Sequence, residues 1–80
     1  MNRKEKNMTL GETLRKARTS KCLTQRELAA YIKVSPQMIC YYEKDRKIPG
    51  LRVLRKYGEV LGLDVEFLAD LKYGREENHD

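Results

Sequence analysis

The chain has 80 residues, of which 36% are charged, and its formal net charge is +5 at pH 7. A chain of this length forms one small domain, and it holds no apolar run near the ~20 residues that cross a bilayer. The charged segment 1–7 lacks the apolar stretch of a signal peptide. We therefore expect a cytoplasmic protein with no membrane partner, in which Cys22 and Cys40 are free thiols rather than a disulfide.

Positive charge is concentrated in one part of the chain. Residues 1–56 hold 15 Lys and Arg against five Asp and Glu, whereas residues 57–80 hold two against seven. A concentrated positive field attracts polyanions, of which nucleic acid is the commonest. The alternative, a basic surface that only keeps the protein soluble, stays open at this point.

Two capping boxes start the first two predicted helices. Thr9 is followed three residues later by Glu12, and Thr24 by Glu27, so each pair can satisfy two backbone amides of a first turn. Apolar residues then recur at helical spacing. The pattern predicts a helix from Thr9 to about residue 20 and a second of about two turns that ends near residue 32.

A third helix is predicted from Pro36 to about Lys44. Ser35 is a strong N-cap, and a proline at the first helical position lacks only an amide that has no partner there. Ile39 and Tyr42 fall on one side and are expected inside. The other side chains of this helix point elsewhere: Gln37, Met38, Cys40, Tyr41 and Lys44.

Pro49 and Gly50 prevent the third helix from continuing, so the segment DRKIPG is predicted to be a loop. Two further helices are predicted after it. The fourth helix, 51–62, contains Gly58, which costs about 1 kcal/mol relative to alanine and therefore predicts close packing against a neighbouring helix. Asp64 caps the fifth helix, in which Phe67 is expected to pack in the core. The sequence shows no strand pattern.

The second and third helices are short and are joined by a three-residue turn, with the small Ala29 where they cross. This arrangement is typical of a helix-turn-helix, whose second helix is held out and fits the major groove of DNA.

Residues 9–71 resemble the lambda-repressor-like helix-turn-helix domain of the xenobiotic-response-element type. The matching segments are LRKAR, LTQRELAAYIKVS, ICYYEKDRKIP and LGLDVEFL. The resemblance implies an all-α fold of five helices with the helix-turn-helix at helices 2 and 3, over residues 9–72, between polar tails at 1–8 and 73–80. It also implies a bacterial or phage origin and a homodimer on a near-palindromic site in double-stranded DNA.

The resemblance carries roles onto individual residues. Base contacts are implied for Pro36, Gln37, Met38 and Tyr41. Phosphate contacts are implied for Thr24, Gln25, Ser35, Lys44, Arg46 and Lys47. Arg18 and Glu43 match a pair that forms an internal salt bridge. Cys22, Lys33 and Asp45 stand at turn positions where the family has glycine, and a left-handed backbone costs of order 1 kcal/mol at such residues.

Independent chemistry supports some of these roles, and each has an alternative. A glutamine at Gln37 can contact adenine at two atoms, or it is a solvated amide. Met38 and Tyr41 can contact a thymine methyl group or a phosphate, or they pack in the core. A dimer surface is expected at Phe67, Leu68 and Leu71. The alternative is that these residues close the monomer core, which is expected of Phe67 in either case.

No enzyme is expected, because the sequence offers no nucleophile, base and orienting group that could act together. Cys22, Cys40 and His79 do not make a set of four metal ligands, so we expect no metal and no cofactor. The function predicted is that of a sequence-specific transcriptional regulator, and specifically of a repressor. The alternatives are an antitoxin with a toxin partner and a controller protein of a restriction–modification operon, which would use the same DNA-binding domain.

Overall fold

The computed structural model of the protein describes residues 8–74. This range folds into five helices, as predicted: α1 Leu10–Ser20, α2 Gln25–Ile32, α3 Pro36–Glu43, α4 Leu51–Leu61 and α5 Val65–Tyr73. Most of the predicted tails, 1–8 and 73–80, lies outside the described residues, as does His79, so the domain boundaries stay a prediction. None of the five helices is long and apolar enough to cross a bilayer.

Side-chain caps set the helix starts where the sequence placed them. Thr9 and Thr24 both form complete capping boxes, with Glu12 and Glu27 as their reciprocal partners. The Ser35 hydroxyl accepts a hydrogen bond from the Met38 amide. By contrast, the N-cap residue of α4 is Gly50, which has no side chain to cap the helix, although its backbone has the extended geometry of a capping residue (φ −72°, ψ 175°).

The three turn residues that replace glycine have left-handed backbones. Their φ angles are +59° at Cys22, +69° at Lys33 and +60° at Asp45. At Asp45 two hydrogen bonds offset part of the cost of the left-handed backbone. Its carboxylate accepts them from the Thr9 hydroxyl (2.6 Å) and the Gly11 amide (2.9 Å). A carboxylate at a helix N-terminus also opposes the positive end of the helix dipole. The loop after α3 is thereby fastened to the start of α1.

All five helices contribute to one core. Every helix contributes fully buried side chains: Leu14, Leu28, Ile32, Ile39, Leu54, Tyr57 and Leu68. The rings of Tyr42 and Tyr57 meet edge to face, with centroids 6.3 Å apart. Close packing at Gly58 is confirmed, since an added Cβ would lie 2.8 Å from the Leu63 carbonyl oxygen and 3.0 Å from the Val65 side chain.

Two expectations about α5 are wrong. Leu68, expected on a dimer surface, is fully buried, and Phe67, expected in the core, is 46% exposed. Successive residues of a helix are about 100° apart, so the two side chains cannot share a face. The stripe that meets the rest of the domain passes through Leu68 and leaves Phe67 beside it in solvent. Leu71 is half-buried against the core.

Candidate nucleic-acid interface

The outer face of α3 carries the implied base contacts, and its side chains differ in exposure. Pro36 and Gln37 are exposed, whereas Met38 and Tyr41 are half-buried. Met38 also packs against the core, so only part of its side chain is available at the surface. Ile39 and Tyr42, on the opposite face, are 0% and 5% exposed and attach the helix to the domain. The helix is therefore held by one side while the other remains accessible.

Gln37 and Tyr41 are in direct contact on this outer face. The Gln37 side-chain nitrogen Nε2 donates a hydrogen bond of 2.9 Å to the Tyr41 hydroxyl. Their spacing of four residues places them on the same side of a helix, so the sequence indicated proximity. It did not indicate which amide atom would face the hydroxyl.

Glu43, the last residue of α3, connects that helix to the N-terminus of α2. Gln25, half-buried at the first position of α2, donates from Nε2 to Glu43 Oε1 over 3.0 Å. Thr24 is exposed, and its hydroxyl accepts from the Glu27 amide. Helix N-termini present unpaired backbone amides that favour anions, so the implied phosphate contacts at Thr24 and Gln25 fit the local chemistry.

A second group of implied phosphate contacts surrounds the two ends of α3. Ser35 is exposed at its start, and Lys44, Arg46 and Lys47 are exposed immediately after its end. The Arg46 amide donates to the Tyr41 carbonyl oxygen over 2.9 Å, which turns the loop back against the helix. Three cations therefore flank the C-terminal end of α3, where they are available to an anionic backbone.

Arg18 and Glu43 form the internal salt bridge that the resemblance implies. Arg18 Nε lies 2.6 Å from Glu43 Oε2, and Nη2 donates to Oε1 over 3.1 Å. Arg18 Nη1 also donates to the Leu23 carbonyl oxygen over 2.7 Å. The hydrogen bond to Glu43 raises the pKa of the Arg18 guanidinium above its usual value. Arg18 and Glu43 are 9% and 6% exposed, so this pair joins α1 to α3 from within.

Tyr57 of α4 lies close to this ion pair. Burial, followed by the negative charge of Glu43, raises the pKa of the Tyr57 phenol above its ordinary value of 10.0. Its hydroxyl oxygen is buried and has no hydrogen-bond partner among the described residues. Nothing in the sequence marked this tyrosine as different from the other buried side chains of α4.

A groove of about 350 Å³ adjoins the loop after α3, where the α3–α4 connection meets α1 and α5. Its lining comprises Thr9, Leu10, Asp45, Lys47, Ile48, Leu71 and Lys72. Ile48 is 65% exposed. No group of three His, Cys, Asp or Glu side chains within residues 8–74 is arranged to hold a metal ion, and both cysteines are free thiols.

Known proteins resemble this chain both in sequence and in structure. A family model described as "Helix-turn-helix" matches residues 14–68. Endothelial differentiation-related factor 1 of Rattus norvegicus is 41% identical over 56 residues, which are 70% of this chain and 38% of that protein. Multiprotein-bridging factor 1 of Candida albicans is 37% identical over 60 residues, or 75% and 40% of the two chains.

A bacterial relative is the SPbeta prophage-derived uncharacterized HTH-type transcriptional regulator YonR of Bacillus subtilis. It is 36% identical over 58 residues, which are 72% of this chain and 54% of that protein. The chain thus spans between about two fifths and about half of the length of these relatives. Because they come from an animal, a yeast and a bacterium, the expected bacterial or phage origin stays a prediction.

Two solved structures share the fold. The P22 c2 repressor in complex with a synthetic operator superposes with a TM-score of 0.74 at 22% identity, over 78% of this chain and 94% of that one. The clp gene regulator ClgR of Corynebacterium glutamicum superposes with a TM-score of 0.70 at 34% identity, over 81% and 69% of the two chains. The chain therefore belongs to the helix-turn-helix family, and to the xenobiotic-response-element type that its sequence motifs resemble.

Proposed function

We propose that the protein is a sequence-specific transcriptional regulator that binds double-stranded DNA by placing α3 in the major groove. The observation that carries this proposal is the division of α3 into a buried face, with Ile39 and Tyr42, and an accessible face, with Gln37 and Tyr41. The major groove is wide enough for one helix and exposes a distinct pattern of donors and acceptors for each base pair. ClgR and YonR are both named as regulators, which supports the same reading.

Phosphate contacts on both sides of α3 would fix its position on the duplex. Thr24, Gln25 and Ser35 lie toward its start, and Lys44, Arg46 and Lys47 follow its end. Such contacts supply affinity and orientation without sequence information, whereas contacts from α3 to base edges supply the sequence preference. Occupying an operator in this way excludes other proteins from that DNA, so the expected direction of regulation is repression. Of the alternatives, neither an antitoxin nor a controller protein is among the relatives described above.

A homodimer would present two copies of α3 to half-sites about one helical turn, ~34 Å, apart. Leu68 is buried, whereas Phe67 is exposed and Leu71 is half-buried. Phe67 and Leu71 are four residues apart on α5 and share a face. Leu71 also lines the groove beside the exposed Ile48. We therefore place the interface with a second copy at Phe67, Leu71 and Ile48.

Selection of bound sequences from a pool of random duplexes tests the binding function. Gln37→Ala should relax the base preference at one position and leave the salt dependence unchanged. Lys44→Ala should weaken binding to all sequences alike. It should also make the negative slope of log K against log salt shallower by about 1. Each variant is the control for the other. If wild-type protein retains no duplex even at low ionic strength, the proposed function is wrong.

Sedimentation velocity tests the dimer. Phe67→Glu would place a charge in the interface and should shift the protein towards the monomer, while the urea midpoint of the monomer fold stays the same because Phe67 is exposed. An unchanged sedimentation coefficient would contradict this interface. A wild-type monomer that captures both half-sites independently would contradict the dimer itself.

A further inference from the structure

The hydrogen bond between Gln37 and Tyr41 limits what the glutamine can offer to a base. A primary amide has one acceptor oxygen and two N–H donors. In this structure the Tyr41 hydroxyl accepts one of these donors through Nε2, at 2.9 Å. Gln37 is thereby left with one N–H donor and one acceptor oxygen for anything outside the protein.

The remaining pair of groups matches adenine and not guanine. In the major groove adenine presents an acceptor, N7, beside a donor, the N6 amino group. Guanine presents two acceptors, N7 and O6. A free glutamine can offer two donors to guanine, but a glutamine that has given one donor to Tyr41 would place its oxygen against O6 or lose the bond to the tyrosine.

The structure also shows why the amide would keep this orientation. Tyr41 is half-buried on α3, next to the buried Tyr42, whereas Gln37 is exposed and is bonded through its side chain to Tyr41. A tyrosine side chain has few torsions to restrict, so its partly buried ring is a firm support for a flexible glutamine. The hydroxyl therefore positions the amide before any base arrives.

We propose that Tyr41 is a specificity-determining residue, whose hydroxyl commits one N–H of Gln37 and makes Gln37 select adenine over guanine. This inference rests on the proposed function, because it assumes that α3 meets base edges. It assigns Tyr41 a positioning role in addition to its implied contact with DNA. It also predicts the identity of one base pair in the operator, at the position where Gln37 acts.

The test compares duplexes that differ at a single base pair. The position is the one at which Gln37→Ala changes the preference in the selection experiment. Equilibrium binding of the full chain is then measured by fluorescence anisotropy, with adenine, guanine or hypoxanthine at that position. Hypoxanthine keeps the guanine acceptors N7 and O6 but lacks the minor-groove amino group, so it isolates the effect in the major groove.

Wild-type protein should prefer adenine to guanine by about tenfold or more, which is the range of one good two-point base contact, and should reject hypoxanthine to the same degree. Tyr41→Phe removes only the accepting hydroxyl, and we expect the ratio to fall to about threefold or less. Tyr31→Phe is the matched control, because Tyr31 is 61% exposed on α2, and its ratio should equal that of wild type.

Three results would overturn the inference while leaving the proposed function intact. One is a preference for guanine, which is what the amide would give if its oxygen faced the tyrosine. Another is a wild-type adenine ratio in a Tyr41→Phe protein with an unchanged circular dichroism spectrum. The third is equal binding of adenine and hypoxanthine by wild-type protein, a measurement that needs no variant to fold. Wild-type protein that binds every duplex alike would overturn both proposals.

Discussion

The helices in the two halves of the domain are held in place by different kinds of interaction. Helices α1, α2 and α3 are linked by polar side chains: Arg18 and Gln25 both bond to Glu43, and Asp45 bonds back to the start of α1. Helices α4 and α5 contribute mainly apolar side chains to the core, among them Leu54, Leu61 and Leu68. The polar half is also the half that carries the candidate DNA contacts.

This difference fits the proposed function. Apolar burial is strong but not directional, whereas a bidentate ion pair fixes both distance and orientation. In that proposal one duplex contacts the start of α2 and both ends of α3, so these three places need a fixed relative position. Glu43, which bonds to Arg18 and Gln25 at once, sets that relative placement, and α4 and α5 supply the burial that keeps the domain folded.

Removing the shared acid should have the largest effect. Glu43→Ala leaves the Arg18 guanidinium buried without its partner, and we expect a loss of about 3–5 kcal/mol in the free energy of unfolding, measured by urea denaturation. Glu59→Ala, at an exposed position on α4, should change it by no more than about 0.5 kcal/mol. A loss below about 1 kcal/mol for Glu43→Ala would mean that apolar packing alone holds the polar half.

The apolar half can be tested with two neighbouring residues. Leu68→Ala empties a fully buried site and should cost about 2–5 kcal/mol. Phe67→Ala changes a side chain that is 46% exposed, so the monomer fold should lose much less. Urea denaturation at a protein concentration that favours the monomer distinguishes the two. Equal losses would show that Phe67 is buried in solution.

Tyr57 lies where the two halves meet, and its contribution to the free energy of unfolding depends on pH. Its phenol has a raised pKa in the fold, so the folded state keeps the proton that the unfolded state releases above pH 10.0. Stability should therefore fall as pH rises above that value, by about 1.4 kcal/mol per pH unit for one proton.

Tyr57→Phe should remove this part of the pH dependence. At neutral pH it should leave stability unchanged or slightly higher, since it deletes a buried hydroxyl with no described partner. Thermal unfolding between pH 7 and pH 11 would measure both effects. An identical pH dependence in the variant would assign the alkaline loss to other groups.

The smallest expected change is a gain in stability from a substitution at Gly50, in the connection between the two halves. Gly50 has the backbone of an N-cap but no side chain, and an added Cβ would meet nothing within 4 Å. Gly50→Ser should therefore stabilise α4 by about 0.5–1 kcal/mol. Gly11→Ser is the opposite case, because its Cβ would lie 2.6 Å from the Tyr42 and Glu43 carbonyl oxygens. Stabilisation by both changes would contradict this account.

Much of the fold was predictable because its signals are local. The capping boxes at Thr9 and Thr24 and the Ser35–Pro36 start involve residues at most three apart, so sequence alone placed three helix starts. The bonds from Asp45 to Thr9 and Gly11 span 36 and 34 residues. No local pattern specifies a contact over that separation.

The features that the sequence did not predict concern the orientation of side chains, both on α5 and at the candidate nucleic-acid interface. Three apolar residues close together on α5 made two different faces equally plausible, and only the packing decided that Leu68 is inside and Phe67 outside. The amide of Gln25 was expected to contact phosphate, but its bond to Glu43 depends on the approach of two helices. The direction of the Gln37 amide similarly depends on the rotamer of Tyr41.

The bond from the Gly11 amide to Asp45 makes one hydrogen atom a reporter of the loop after α3. First-turn amides have no partner within their own helix, so this proton is shielded only while the loop after α3 stays docked. Its exchange with deuterated solvent therefore follows local opening of that loop, which can be far more frequent than unfolding of the whole domain. A spectroscopist could therefore follow the loop through an amide that lies 34 residues before Asp45 in the sequence.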